Sequence, residues 1–370
     1  MNKIGIITTQ YSPNYGALLQ AFALQEYLKR NYPNFEIEII DYYPQHADGF
    51  WKLFHEVRGY KDILLNVYSL LHPKLLLAKK KNFNEFKRFI AQNLNCSQRY
   101  YSFSELEKLE QQYNTLICGS DQIWNITRHD DPAWFLYFSR SWKNCKKIAY
   151  APSVADTIPH GHENNLLKYL NNLDSISVRE DIDVEQLKKY TNKDVKHVCD
   201  PIFLLTHDEW KSYLPGFNIK EPYILCYFIS VGDFAFEAVK KLREITGLKV
   251  LYINVNMRDK LNSDYDIRTA SPFEFVNYIR NASYVCTNSF HCTAFSILFK
   301  KNFFVIRKQM ANRRMESLIR VSRLKDRFLD EDNIKKLDVD KLQTDYSACN
   351  MERFISESKQ YIEESLNAGE

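Results

Sequence analysis

The chain has 370 residues, 45% of them hydrophobic and 26% charged, with 50 basic against 46 acidic side chains for a net charge of +4. Such a chain can build a sizeable core, and its even charge balance excludes a basic nucleic-acid-binding surface as the organising feature. Only ten residues are glycine, and no two are spaced as G-x-G-x-x-G or G-x-x-x-x-G-K-[ST], which excludes both common phosphate-cradling loops.

The opening segment MNKIGIITTQYSPNYG has no apolar run of signal-peptide length. There is no uncharged stretch of about 18 apolar residues, the length that spans a bilayer. A cytoplasmic protein is therefore expected. The eight cysteines contain no C-x-x-C pair and several lie in apolar runs such as LICGS and YILCYF, the pattern of buried free thiols.

In chain order, Lys3 to Thr8 (KIGIIT) reads as a buried strand and Gly16 to Arg30 as an amphipathic helix with Leu19, Ala23, Leu24 and Leu28 inward. EIEIID (36–41) alternates as a second strand, which implies a parallel crossover. Residues 50–112 lack strand signals and read as mostly helical. Strand runs return at Thr115–Cys118, Lys147–Pro152, Asp174–Arg179 and Val195–Cys199, with a helix beginning near Asp181. The stretch 206–222, holding Pro215, Gly216 and Pro222, reads as a connector. The pattern then restarts with strands at 223–230, 249–255, 284–288 and 303–307. The helices between them are expected at 233–246, 272–281, 291–300 and 312–324, the second capped by Ser271 with Pro272 at its first position. The tail 350–367 reads as a last helix.

The predicted fold class is therefore α/β, with two Rossmann-like parallel-sheet domains facing across a cleft. Residues 1–205 form the first domain, with a helical insertion at about 50–112. Residues 206–222 are the linker, 223–345 the second domain and 346–370 a C-terminal helix. In open parallel sheets ligands sit beyond the carboxyl ends of strands, so the residues that follow strands carry the functional question.

Three strand ends carry chemistry. In Cys118-Gly119-Ser120-Asp121-Gln122-Ile123-Trp124-Asn125, a small-residue turn leads to polar groups suited to sugar hydroxyls, although Asp121 could equally cap a following helix and Trp124 could be core. In Thr287-Asn288-Ser289-Phe290-His291-Cys292-Thr293, a strand runs into a helix whose first N–H groups, with the Ser289 and Thr293 hydroxyls and the His291 imidazole, could hold an anion, or Ser289 could be only an N-cap and His291 only a satisfied first-turn histidine. Arg179, Arg307 and the pair Arg313-Arg314 follow strands where guanidinium forks could bind phosphate or carboxylate, or could form surface ion pairs. Asp181/Asp183, Asp264/Asp266 and His160/His162 are weak metal signals, and no metal centre is expected. The basic amphipathic segment Leu75–Ile90 reads as a solvated helix face or as a contact with an anionic membrane or a lipid-linked acceptor.

At these residues the chain resembles the polysaccharide pyruvyl transferase family. The resemblance rests on Asn14-Tyr15-Gly16-Ala17-Leu18-Leu19-Gln20 with Ala23-Leu24, on the Cys118–Asn125 block, and on Ser177-Val178-Arg179-Glu180 and Asp200-Pro201. Asn288-Ser289-Phe290-His291, Arg314, Ser317-Leu318 and Arg327 complete it in family order. It implies a fold like the GT-B glycosyltransferases and transfer of pyruvate from phosphoenolpyruvate to a sugar diol, with no cofactor. By the same resemblance, His291 and Asp121 would be the catalytic acid and base. Arg179, Ser289, Thr293, Arg307 and Arg314 would join His291 in binding the donor. Asn14, Tyr15, Gly16, Gln20, Gly119, Ser120, Gln122, Trp124 and Asn125 would serve the acceptor, a sugar that could be lipid-linked at the inner face of the membrane. One departure stands out: the family glycine after SFH is Cys292 here, where a side chain would narrow the approach to the helix start. A nucleotide-sugar glycosyltransferase and a non-catalytic sugar-binding relative remain the alternatives.

Overall fold

The computed structural model describes residues 2–44, 47, 49–54, 56–57, 59–110, 112–128, 130–254, 261–307 and 312–367. Among these residues there are two sheets, and every strand pair in both is parallel. The first contains β1 (Asn2–Ile7), β2 (Phe35–Tyr42), β3 (Cys96–Tyr100), β4 (Thr115–Cys118), β5 (Lys146–Ala149), β6 (Ser175–Val178) and β7 (Val195–His197). Their order is β3-β2-β1-β4-β5-β6-β7. The second contains β8 (Tyr223–Tyr227), β9 (Lys249–Ile253), β10 (Tyr265–Ile267), β11 (Tyr284–Thr287), β12 (Asn302–Ile306) and β13 (Phe328–Leu329), ordered β10-β9-β8-β11-β12-β13. In each sheet the chain first winds outward and then returns beside its starting strand. The reversals fall between β1 and β4 and between β8 and β11, where α/β sheets open a crevice for ligands.

Helices follow the expected alternation. In the first half they are α1 (Tyr15–Asn31), α2 (Tyr60–Leu71), α3 (Pro73–Asn93), α4 (Phe103–Glu107), α5 (Glu163–Asn172) and α6 (Asp181–Leu187). They continue as α7 (His207–Tyr213), α8 (Asp233–Thr246), α9 (Pro272–Asn281), α10 (Phe290–Leu298), α11 (Arg313–Ser322) and α12 (Met351–Asn367). The Ser271 cap of α9 is a full capping box with Glu274.

Helix α1 is buried on nearly every side, not only along the Leu19–Leu28 stripe. The reason is that the second domain covers its outer face. The Tyr15 ring stacks on Phe275 of α9 at 4.4 Å, the Tyr15 hydroxyl donates to the Ala270 carbonyl at 3.1 Å, and Phe22 meets Trp210, Tyr213 and Phe273. Helix α12 crosses back to the first domain. There the Tyr361 hydroxyl donates to the Ala149 carbonyl, and Ser358 Oγ accepts the Cys199 N–H.

The structure corrects three expectations. The 50–112 insertion is not free of strands: CSQRY forms edge strand β3, whose only buried residue is Tyr100, so no apolar alternation marks it. The connector 206–222 begins with α7, held by a Thr206/Glu209 capping box and by Trp210, whose indole N–H donates to the Ile202 carbonyl. The second sheet has two strands beyond the four expected, the short β10, running through Asp266, and β13 at Phe328–Leu329; Asp266 pairs with Arg268 and Asp264 with Arg243. Position 255 of the expected strand 249–255 lies outside the described residues. No helix among the described residues is long and apolar enough to cross a membrane, and all eight cysteines are free.

Candidate functional site

The two sheet reversals face each other across a cleft of about 350 Å³. From the first domain it is lined by Asn14, Asp121, Gln122, Asn125 and Arg128, and from the second by Asn288, Ser289, His291, Asn312 and Arg314.

The first-domain wall is built by backbone geometry that the sequence half disclosed. Asn14 caps α1, its side chain accepting the N–H groups of Gly16 and Ala17. A Cβ on Gly16 would lie 1.9 Å from His291 Nδ1, so glycine is required there for the imidazole to sit against the helix start. Gly119 has φ +146° and its Cβ would strike the Tyr150 carbonyl at 1.8 Å. Asp121 follows in the left-handed region (φ 63°), and turns instead of a helix come after it, so it caps nothing. Its Oδ2 accepts from Thr9 Oγ1 at 3.4 Å.

The second-domain wall is the start of α10. Ser289 is its cap, accepting the Cys292 N–H, and His291 follows in the first turn. Asn288 ties the end of β11 to the end of β8 by accepting from the Ile229 N–H and donating to the Ser230 carbonyl. Arg314, in the first turn of α11, faces the Gln122 side-chain amide across the cleft; with that amide turned so that its oxygen meets the guanidinium, the oxygen accepts from Arg314 at 2.8 and 3.2 Å. Burial, reinforced by the like charge of Arg179, presses Arg314 below the ordinary guanidinium range. Neither Arg314 nor Arg128 forms an ion pair among the described residues.

Behind the cleft lies a buried charge network centred on Asp200. Its Oδ2 accepts from Arg179 Nη1 at 2.7 Å and lies 3.4 Å from His291 Nε2, while Oδ1 accepts the Ile202 N–H. Burial would raise this carboxyl, but His291 and Arg179 outweigh it and hold it at about 2. Arg179 also donates to Glu180 at 3.0 Å, lies over the Phe290 ring at 4.3 Å, and keeps Nη2 3.8 Å from Asp121 without a hydrogen bond. His291 Nε2 likewise lacks a hydrogen bond despite its carboxylate neighbour.

Several expected ligands lie elsewhere. Arg179 faces Asp200 and Glu180 and does not line the cleft. Arg307 is exposed, paired with Glu316 and stacked over Phe328. Thr293 is fully buried one turn along α10. Trp124 is core, stacked on Phe135 at 4.9 Å with its indole N–H donated to the Trp134 carbonyl. Gln20 bridges Thr8 and the Ser120 N–H, and Ser120 Oγ donates to the Ala151 carbonyl; both are buried. Tyr15 belongs to the domain interface.

Cys292 does not narrow the helix start. It is fully buried beside Tyr227, Cys226 and Cys286, and burial pushes its thiol up to about 12, so it stays protonated and inert. Asp181 pairs with Arg320, and among the described residues no three His, Cys, Asp or Glu side chains gather as metal ligands.

Two contributors have no site role in the sequence reading. Asp200 carries a signal, an Asp-Pro at the end of the VKHVC strand run, but nothing local pairs it with His291. Arg128 follows the GSDQIWN block and carries none.

A family model described as polysaccharide pyruvyl transferase matches residues 14–307, which contain nearly all of these elements. The chain belongs to the polysaccharide pyruvyl transferase family. It is thereby a transferase by family. No curated protein matches its sequence. Among solved structures, the family member is similar to an S. aureus MnaA–UDP complex at 12% identity, with 98% of this chain and 97% of that one covered and a TM-score of 0.54. It is similar to the UDP-GlcNAc 2-epimerase from Neisseria meningitidis bound to UDP-GlcNAc at 10% identity, with 99% of each chain covered and a TM-score of 0.54. The epimerase from Methanocaldococcus jannaschii gives 12% identity, 96% and 100% coverage and a TM-score of 0.53. At such identities the likeness establishes the fold, that of the GT-B enzymes: two parallel-sheet domains with a cleft between them.

Proposed function

We propose that the chain transfers the pyruvyl group of phosphoenolpyruvate to two hydroxyls of a sugar, forming a cyclic ketal and releasing phosphate. The carrying observation is the cleft's pair of guanidinium groups without ion pairs, Arg128 and Arg314, beside the start of α10. Phosphoenolpyruvate bears a phosphate and a carboxylate, and such a cation pair suits both.

In this scheme the donor methylene carbon takes one proton and the two sugar oxygens bond to the carbon that bore phosphate. The C–O bond to phosphate breaks, and the second hydroxyl proton leaves with it. His291 serves as the proton donor: an ionised Asp200 3.4 Å from Nε2 is the neighbour an imidazole needs to take up and pass on a proton. Asp121 faces the acceptor hydroxyl as base, and Asn14, Gln122 and Asn125 orient the sugar. The scheme uses no cofactor and places the enzyme in the cytoplasm, at the level of a polysaccharide precursor.

Thermal-shift titration tests the reading. Phosphoenolpyruvate at about a hundred times its Kd should stabilise the protein by about 2.7 kcal/mol, and UDP-sugars should not. Stabilisation by a UDP-sugar alone would replace it with nucleotide-sugar transfer. His291→Ala should retain donor-induced stabilisation and lose phosphate release.

A further inference from the structure

Helix α2 buries none of its residues. Tyr60, Ile63, Leu64, Val67, Leu70 and Leu71 are all exposed, Leu71 at 73%. At 100° per residue these six fall within an arc of about 120°, so they form one continuous apolar stripe turned to solvent. The inner half of α3 is anchored by buried Asn82, Phe86 and Phe89, whereas its outer half and α2 project as a hairpin. Residues 50–93 carry nine Lys and Arg against three Asp and Glu, a net +6 in a chain whose total is +4. Lys61 on α2 and Lys74, Lys80 and Lys81 on α3 are exposed.

We infer that this hairpin docks the protein on an anionic phospholipid bilayer, with the α2 stripe in the headgroup region and the flanking lysines against lipid phosphates. An apolar stripe combined with a basic border is the pair of signals that gives stable peripheral binding, where either alone is marginal. The same charge disfavours a second copy as the occupant, because two such hairpins would bring like charge face to face. The segment that begins the insertion is rooted beside the cleft. The Trp51 indole N–H donates to the Tyr11 carbonyl, Phe50 stacks on Tyr11, and Phe86 of α3 packs on Tyr15. Docking therefore sets the acceptor side of the cleft near the membrane surface. That the acceptor is a lipid-linked sugar rests on the pyruvyl-transfer reading; the docking itself does not.

The test is cosedimentation of the full chain with vesicles of phosphatidylglycerol and phosphatidylcholine, compared with phosphatidylcholine alone. The wild type should pellet with the anionic vesicles only. Leu64→Glu/Leu71→Glu should lower vesicle-bound protein by at least about tenfold. Lys80→Glu/Lys81→Glu should weaken binding and flatten its dependence on salt. All four side chains are exposed, so both variants should keep the wild-type melting temperature. Wild-type protein that stays in the supernatant, or a double-glutamate variant that pellets like the wild type, overturns the inference. So does a concentration-dependent dimer that the double-glutamate variant dissolves, which would assign the stripe to a second copy. No sugar or donor is present in this assay, so its failure leaves the donor titration unaffected.

Discussion

Asp200→Asn tests the charge network behind the cleft, because it preserves shape and removes one charge. In the wild type, Asp200 Oδ2 accepts from Arg179 Nη1 at 2.7 Å and Oδ1 accepts the Ile202 N–H at 3.1 Å. An asparagine can keep the Ile202 bond only by presenting its NH2 to the guanidinium, so two donors meet. Arg179 then keeps Glu180 as its close partner, with Asp121 at 3.8 Å. A carboxyl lowered from 3.8 to about 2 is worth roughly 2–3 kcal/mol. Breaking a buried pair by removing one partner costs about 3–5 kcal/mol, because it also strands the other charge. At about 2–4 °C per kcal/mol for a domain of this size, the melting temperature should fall by about 6–20 °C near neutral pH. The acid dependence follows from the sign of the shift. The folded value lies below the unfolded 3.8, so this contribution is present above about pH 4 and is lost as pH falls toward 2. Thermal unfolding by circular dichroism from about pH 7 to about pH 3 should show the gap between wild type and variant closing. A variant within about 1 °C of wild type near neutrality, or a gap that does not change with pH, refutes the reasoning.

Three further outcomes are expected. Gly16→Ala places a Cβ 1.9 Å from His291 Nδ1, so the ring must retreat by roughly 1.5 Å to reach ordinary contact; phosphate release should fall about a hundredfold, and an unchanged rate would remove His291 from the reacting centre. Burial and the neighbouring Glu180 hold the Asp183 carboxyl up at about 8, while the unfolded chain ionises it at 3.8, so folding loses stability as pH rises between those values. Asp183→Asn should therefore gain melting temperature over wild type at high pH and less at low pH, and an equal gain at both would contradict this. Arg128→Ala should weaken donor binding about tenfold or more at unchanged melting temperature, whereas Arg307→Ala, whose guanidinium is already paired with Glu316, should leave the affinity alone.

Most of the fold was legible because buried parallel strands announce themselves as short apolar runs: TLIC is a strand as read, and the strand read at 223–230 is present as Tyr223–Tyr227. Strand β3 was not, because an edge strand with one buried side chain has no apolar pattern to display. The site was legible as strand ends, and Asp121, Gln122, Asn125, Ser289, His291 and Arg314 do share one cleft. What sequence could not supply was orientation. Trp124 sits among polar residues yet points into the core, and Cys292 follows His291 but faces the sheet. Arg179 has the chemistry of an anion ligand, but its carboxylate partners come from its own domain at Asp200 and Glu180. Asp200 gains meaning only when the second domain brings His291 to it, and no local pattern encodes that meeting.

The crossing of α12 bears on the order in which the chain can fold. The first sheet's far side is covered by residues 351–367, through Phe354 against His197, Ser358 beside Cys199 and Tyr361 on Ala149. During synthesis the strands they cover emerge well before their cover, by roughly ten to forty seconds at about 5–20 residues per second. Over that interval the nascent first domain exposes the surface that Phe354 and Tyr361 later cover. A chain truncated after residue 345, which keeps the second domain over α1, should accordingly be prone to aggregate, and a peptide of residues 346–367 supplied separately should suppress it; a truncated chain that stays monomeric without the peptide would mean that the first domain closes without its last helix.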